Sequence, residues 1–251
     1  MGVDSSKLVR LFDSWAETFD SDIAVSEWGF EGYNDGIEWV RRQLEYETRC
    51  DKVIDLGCGT GTLAERLRQS TVPIEYLGID ICPKMIQIAG AKSPTSSFIQ
   101  TDIRDFSNWE SCLETPGNCT VVSTYCLHHL DDEEKIGLIR RIFSANKKQD
   151  LRILIVDYAF LNSAERDRIL HEQIMSGNYH IKEEVESEYY ADLDFIKNAL
   201  VIDGLELSFE KNGIWDWRIS VQRCRKPDIH SIYHTDWTQK QHPQLQNLQA
   251  Y

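Results

Sequence analysis

The stretch Val53-Ile-Asp-Leu-Gly-Cys-Gly-Thr-Gly61 constrains this chain more than any other part of its sequence. The β-branched run reads as a short buried strand, the alternate glycines as a turn, and the residues from Thr62 as a helix. Strand, glycine turn and helix form the setting in which a backbone can approach a nucleotide-like ligand, because glycine adopts positive φ and presents no side chain. The spacing discriminates between ligands. A dinucleotide loop has the form G-x-G-x-x-G, whose last glycine permits close helix packing beneath a pyrophosphate. Here the pattern is G-x-G-x-G, with Thr62 in the place of the last dinucleotide glycine. A dinucleotide oxidoreductase is therefore disfavoured.

Around this loop the chain alternates between strand and helix patterns. Strands are expected at 52–55, 75–79, 97–100, 120–124 and 152–156, with helices at 62–69, 84–89 and 131–145. Such alternation implies parallel β-α-β units and a sheet covered on both faces. An amphipathic helix over 4–19 carries Leu8, Leu11, Phe12, Trp15 and Phe19 at helical spacing. A loop near 31–36 leads to a second helix at 37–47. Residues 160–202 are polar and mostly helical, an insertion of the kind that forms a lid, with Gly177-Asn178 as a break. Two strand-like runs then flank Lys211-Asn-Gly213 and read as a hairpin. The expected organisation is a helical cap over 1–48, a ligand-binding domain over 49–224, and a polar tail over 225–251.

Carboxylates stand where three of these strands end: Asp55, Asp80 and Asp102. A lone Asp at a strand end more often caps a helix or forms a turn. Three of them beside a glycine loop point to a bound ligand. Asp80 can accept from two ribose hydroxyls, Asp102 from an exocyclic adenine amine, and Asp55 suits a nearby ammonium group.

Charge and cysteine usage narrow the partners. The formal net charge of −14 repels phosphate backbones, so no nucleic-acid partner is expected. The seven cysteines are odd in number and contain no C-x-x-C pair, which argues against a disulfide framework or a zinc knuckle. With no leader-like or membrane-spanning apolar run, a soluble cytoplasmic protein without a metal is expected.

The glycine run, Gly78-Ile-Asp80 and Thr101-Asp102 together resemble class I S-adenosylmethionine (AdoMet)-dependent methyltransferases. That resemblance implies an α/β, Rossmann-like fold with a seven-stranded, mostly parallel sheet and a reversed strand in the C-terminal hairpin. It also implies AdoMet as cofactor, with Gly57, Gly59 and Gly61 along its methionine part, Asp80 at the ribose, and Asp102 and Ile103 at the adenine. Cys58, Ile81, Thr124 and Tyr125 neighbour these positions and are taken as cofactor contacts with them. A narrower similarity, over roughly 10–224, is to the small YrrT-like bacterial methyltransferases. It rests on Phe12-Asp-Ser-Trp-Ala-Glu-Thr-Phe-Asp20, Ser123-Thr-Tyr-Cys-Leu-His-His-Leu130, Asp157-Tyr-Ala-Phe160 and Ser187-Glu-Tyr-Tyr190. This resemblance places the first helix over the cofactor, which would make Trp15 a contact rather than only a core residue. The chain departs from the group in lacking glycines before the fifth strand, and in its tail.

Methyl transfer depends chiefly on positioning, with a general base needed for a hydroxyl or a protonated amine. Candidates for that chemistry are His128 after the fourth strand, Asp157 after the fifth and His180 in the insertion. Each has a plainer alternative: a structural hydrogen bond, a helix cap and an exposed lid residue respectively. No Asn/Asp-Pro-Pro-Tyr/Phe or Pro-Cys motif follows the fourth strand, and Asp157 has no Asp-Asn partner for a catechol-type magnesium site. By elimination the expected acceptor is a small molecule. An RNA or protein acceptor, and a non-catalytic module binding AdoMet or S-adenosylhomocysteine, are the alternatives.

Overall fold

The structure, a computed structural model, describes residues 3–25, 32–47 and 49–224. The expected tail therefore lies outside the described residues, as does Glu31 of the loop expected near 31–36; the rest of that loop is corrected by the structure, which is helical from Tyr33 onward. The first amphipathic segment is two helices, α1 (Ser5–Trp15) and α2 (Phe19–Val25), rather than one. Asp4 caps α1 by accepting from the Ser6 amide. The next helix, α3 (Tyr33–Arg42), starts earlier than its apolar residues indicate and ends in a π-turn over Gln43–Glu47.

The alternating core then follows as expected: β1 (Lys52–Leu56), α4 (Thr62–Leu67), β2 (Glu75–Asp80), α5 (Pro83–Lys92), β3 (Ser97–Gln100), β4 (Cys119–Thr124), α6 (Asp132–Ala145) and β5 (Arg152–Phe160). The insertion holds α7 (Ser163–Met175), α8 (Ile181–Ser187), the two-residue β6 (Ala191–Asp192) and α9 (Leu193–Val201). The hairpin is β7 (Leu205–Lys211) and β8 (Asp216–Arg223).

The strands form one sheet in the order β3-β2-β1-β4-β5-β8-β7, with β6 added beside β5. β8 runs antiparallel to both β5 and β7, and the other pairs are parallel. This is the expected seven-stranded sheet with one reversed strand. Apolar side chains cover both faces, as parallel strands require. One core gathers Trp109, Leu113, Ile139, Ile142 and Leu200, and the other gathers Ile37, Val40, Leu44 and Leu63.

The order places a switch point between β1 and β4: from β1 the chain winds outward to β2 and β3, then returns to β4 on the other side. Crevices beyond the carboxyl ends of strands at such a point are where open α/β sheets bind ligands. The glycine turn leaves β1 there, and the His128-His129 turn leaves β4 there. One expectation needs correcting: β5 extends to Phe160, so Asp157 lies inside the strand and caps no helix.

Candidate cofactor and acceptor site

A cavity of about 220 Å³ opens at this switch point. Its floor includes Gly57, Gly59, Asp80, Ile81, Asp102, Ile103, Thr124 and Tyr125, and α1 roofs it with Leu8, Leu11, Phe12 and Trp15. His128, His129, Tyr158 and Glu188 close the far end. Nine of the residues expected at the cofactor line one space: Trp15, Gly57, Gly59, Asp80, Ile81, Asp102, Ile103, Thr124 and Tyr125. Three do not, namely Asp55, Cys58 and Gly61.

The two loop glycines differ in role. Gly59 has φ +53° and a Cβ built on it meets nothing within 4 Å, so this backbone faces open space. Gly61 has φ +78°, and its Cβ would fall 2.9 Å from that of Ala89. Gly61 is therefore a contact between the loop and α5 rather than a lining residue. The Cys58 thiol likewise turns under the sheet, where a Cβ on Gly78 would meet its Sγ at 2.7 Å.

The loop is fastened to β2. The Gly59 amide donates to Oδ2 of Asp80 at 2.9 Å, and the Cys82 amide to Oδ1 at 2.8 Å. Burial raises the Asp80 carboxyl above its ordinary range despite these donors. Asp55 lies beneath the loop, 1% exposed, and its Oδ2 accepts from the Tyr76 hydroxyl at 2.5 Å. Its other oxygen, Oδ1, is buried without a hydrogen-bond partner. Burial, with a smaller push from Asp80 and against the Tyr76 bond, drives the Asp55 carboxyl up to about 7. An orphaned carboxylate oxygen beneath the loop and an open cradle above Gly59 fit a ligand with a cationic amino-acid end, as AdoMet has.

Asp102 is engaged more fully than its sequence position indicates. Four donors reach it: the Ser5 hydroxyl at 2.7 Å, and the amide, Nε and Nη2 of Arg104. Burial alone would raise this carboxyl, but Arg104 overrides it and holds it below the ordinary range. Arg104 also donates to the Val3 carbonyl and bonds the Ser5 hydroxyl. The entry to α1 is thus tied across the site. Further along the cap, Asp20 accepts from Thr60 at 2.6 Å and pairs with Lys92, and Asp13 accepts from the Cys82 thiol at 2.8 Å.

Aromatic rings carry the cap onto the strand ends. Trp15 meets Phe19 edge-on at 4.8 Å, Tyr33 stacks on Tyr125 at 5.4 Å, and Phe12 meets His129 edge-on at 5.6 Å between centroids. Trp15 also donates from Nε1 to Asp22 at 2.7 Å. Among the described residues Tyr125 alone has positive φ without being glycine, at +51°. Such strain persists only where the surroundings over-determine it. Here the Tyr125 amide bonds the Val156 carbonyl, and its hydroxyl donates to Asp216 at 2.8 Å.

The catalytic candidates separate. His128 is 5% and Asp157 3% exposed, and Nδ1 of the histidine lies 2.6 Å from Oδ1 of the aspartate. The other Asp157 oxygen accepts the Leu127 amide at 2.7 Å, with the Cys126 and His128 amides at 3.2 Å. Burial would lower the His128 imidazole, but Asp157 overrides it and holds it above its ordinary range, while Asp157 is held below its own. Asp157 does not line the cavity; it is bonded to His128, which does. His180 is exposed at the start of α8 and does not line the cavity. The structure separates it from the other two.

Residues that the sequence did not single out complete the arrangement. Lys135 is buried, and its Nζ bonds the Leu130 carbonyl, the Tyr189 carbonyl and Asp132, joining the insertion to α6. Glu188 brings Oε2 to 3.4 Å from Nε2 of His128. Neither residue has a local signature, because each acts through chain that lies far away in sequence.

Comparisons with known proteins agree with this geometry. Residues 53–149 match the family model described as a methyltransferase domain. The chain is 27% identical over 228 residues to the uncharacterized methyltransferase YrrT of Halobacillus halophilus, covering 89% of this chain and 99% of that protein. Against the Bacillus subtilis YrrT it is 27% identical over 218 residues, covering 84% and 95%. Among solved structures, magnesium protoporphyrin IX methyltransferase of Synechocystis with bound S-adenosylhomocysteine superposes with a TM-score of 0.59 at 18% identity, covering 88% of this chain and all of that one. The plantazolicin methyltransferase BpumL, also with S-adenosylhomocysteine, gives 0.59 at 15% identity, covering 87% and 97%. Residues 53–149 thus form a methyltransferase domain, the fold is the Rossmann-like one of AdoMet-dependent methyltransferases, and the chain is similar along most of its length to the YrrT-like group.

Proposed function

We propose that the enzyme transfers a methyl group to a small-molecule acceptor that enters the same cavity as the cofactor. The observation that carries this reading is the roof. Leu8, Leu11, Phe12 and Trp15 of α1 close over the floor that the strand ends build, and the space left is about 220 Å³. An apolar, partly roofed cavity suits a compact acceptor with an apolar body, whereas a folded protein or a duplex would need an open face. The net charge of −14 works against an RNA acceptor. Among enzymes of similar fold, the one from Synechocystis is named for a porphyrin, also a small molecule.

Within this reading the cofactor's methionine end lies along Gly57 and Gly59, with its ammonium toward Oδ1 of Asp55. The ribose hydroxyls face Asp80, and the adenine lies by Ile103 with its amine toward Asp102. The four donors already on Asp102 match the roughly four lone-pair sites of a carboxylate. The adenine amine therefore takes the place that the Ser5 hydroxyl holds here. AdoMet supplies an electrophilic methyl on a sulfonium, and the chain's own work is to hold, align and exclude water. Asp157 is a positioning residue that fixes the His128 ring, and the His128-His129 end of the cavity receives the acceptor.

The test is calorimetric titration with AdoMet, S-adenosylhomocysteine and NAD, followed by transfer assays with methyl-labelled AdoMet. Micromolar binding of the two adenosyl sulfur compounds, none of NAD, and label in a low-molecular-weight fraction are expected. Label arriving in protein or RNA instead would overturn the small-molecule reading.

A further inference from the structure

The end of the cavity away from the glycine loop holds a cluster that methyl transfer by positioning does not require. One ligand-type atom from each of His128, His129 and Glu188 lies within 4.8 Å of the other two. We propose that these three side chains form a site for a divalent transition metal, which would bind and activate the acceptor.

Hydrogen bonding around the cluster argues for a cation. Nδ1 of His128 is committed to Asp157 at 2.6 Å. A carboxylate on the far nitrogen is how metal-ligating histidines are oriented, since it fixes the tautomer and aims the other nitrogen at the metal. With Nδ1 donating to Asp157, the neutral ring offers a lone pair at Nε2, and that atom faces Oε2 of Glu188 at 3.4 Å. A cation between them would meet the lone pair and the carboxylate together. A proton on Nε2 would satisfy that pair alone. It would leave Nδ1 of His129, buried and without a hydrogen-bond partner, unanswered. A metal ion in the cluster would take one ligand atom from each of the three residues. Asp157 and Glu188 together offset a divalent charge.

The donor set selects the class of metal. Two imidazoles and one carboxylate suit zinc in an open site, or another first-row ion of similar preference, rather than calcium or magnesium. Zinc–nitrogen bonds of ~2.0–2.1 Å require the three ligand atoms, which lie within 4.8 Å of one another, to close in around the ion. Three protein ligands leave at least one position toward the cavity. The sequence gives no sign of such a site, because Glu188 belongs to the insertion and meets the histidine pair only in the fold.

The role of the ion rests on the proposed small-molecule reading. A hydroxyl or thiol of the acceptor coordinates in the open position and loses its proton to solvent, because the metal lowers its pKa. The resulting anion attacks the methyl carbon. A bond from oxygen or sulfur to that carbon forms as the carbon–sulfonium bond breaks, and the electron pair of the broken bond leaves neutral S-adenosylhomocysteine. The acceptor class implied is a molecule with an ionisable hydroxyl or thiol beside an apolar body.

Metal content and AdoMet binding, measured separately on the full chain, test the proposal. Metal-free protein is titrated with zinc and with cobalt, whose visible spectrum reports coordination number, and compared with His129→Ala, Glu188→Gln and the double variant. His230, His234 and His242 of the tail remain in every variant, so binding by the tail cancels in the comparison. The expected result is one equivalent of cobalt in a nitrogen- and oxygen-ligated site. Affinity should fall at least tenfold in each single variant and vanish in the double variant, with AdoMet affinity within about threefold of the original. No stoichiometric metal in the parent protein, or equal metal affinity in the double variant, would overturn the site. Metal binding without AdoMet binding would keep the site and sink the cofactor placement. AdoMet binding without metal would do the reverse.

Discussion

The hydroxyl of Ser5 donates to Oδ2 of Asp102 at 2.7 Å, joining the first helix to the carboxylate just beyond β3. Together with the three donors of Arg104 this fills the carboxylate. The adenine amine and Ser5 therefore compete for one acceptor. Ser5→Ala should tighten AdoMet binding by about two- to tenfold, the equivalent of one net hydrogen bond of ~0.5–1.5 kcal/mol. Stopped-flow binding should locate the gain in the association rate. Weaker binding by the variant would mean that Ser5 helps to close the site over the cofactor instead.

The loop glycines should respond differently to the same substitution. Gly59→Val places an isopropyl group in open space, at a cost of about 1–2 kcal/mol for left-handed backbone. The melting temperature should fall by roughly 2–8 °C, while AdoMet binding is lost. Gly61→Val bears the same backbone cost and also drives into Ala89, adding about 1–3 kcal/mol of overpacking. Thermal melts should rank Gly61→Val as the less stable. Calorimetry should show Gly59→Val folded but unable to bind; normal AdoMet affinity in that variant would remove the loop from the cofactor site.

What could be read from the sequence follows physical lines. The strands, the glycine turn and the positions of Asp80 and Asp102 are local: periodicity, β-branching and glycine spacing write them into short windows. The hairpin was legible for the same reason, since Asn212-Gly213 marks its turn. Arg104 on Asp102, Lys135 on the Tyr189 carbonyl and Glu188 beside His128 are tertiary contacts, and nothing near any of them in sequence announces its partner. Gly61 and Asp55 show a subtler limit. Both belong to the motif, yet one packs against α5 and the other is buried beneath the loop, so motif membership did not tell lining from support.

Asp55 should make stability depend on pH in a direction opposite to that of a paired carboxylate. Its folded value of about 7 stands above an unfolded value of about 3.9. The folded state thus favours the protonated form. Stability from this group is complete below about pH 4 and is lost as pH rises through 7. In Asp55→Asn that loss disappears, so the variant should gain on the parent between pH 4 and 7 and keep a constant lead above pH 7, on the order of 4 kcal/mol. AdoMet affinity should nevertheless fall, because the ammonium loses its carboxylate. Denaturant titrations from pH 4 to 9 measure the gap; a gap that does not change with pH would refute the buried, proton-holding state of Asp55.

Asp157 and His180 provide the sharpest separation among the catalytic candidates. Asp157 holds the His128 ring and three successive amides of its turn, whereas His180 is exposed and away from the cavity. His180→Ala should leave kcat, KM and stability within experimental scatter. Asp157→Asn breaks a buried charged pair and should cost about 3–5 kcal/mol. The pH dependence of that loss identifies its origin. Asp157, held low, contributes fully above its unfolded value of about 3.9 and loses its contribution as pH falls through the folded value. His128, held high, contributes fully below about 6.5 and loses its contribution as pH rises through the folded value. The gap between parent and variant should therefore be widest between about pH 4 and 6.5 and narrow toward pH 9, where only the neutral hydrogen bond remains. A gap of constant size from pH 5 to 9 would mean that Asp157 works only through the turn amides and does not charge the His128 ring.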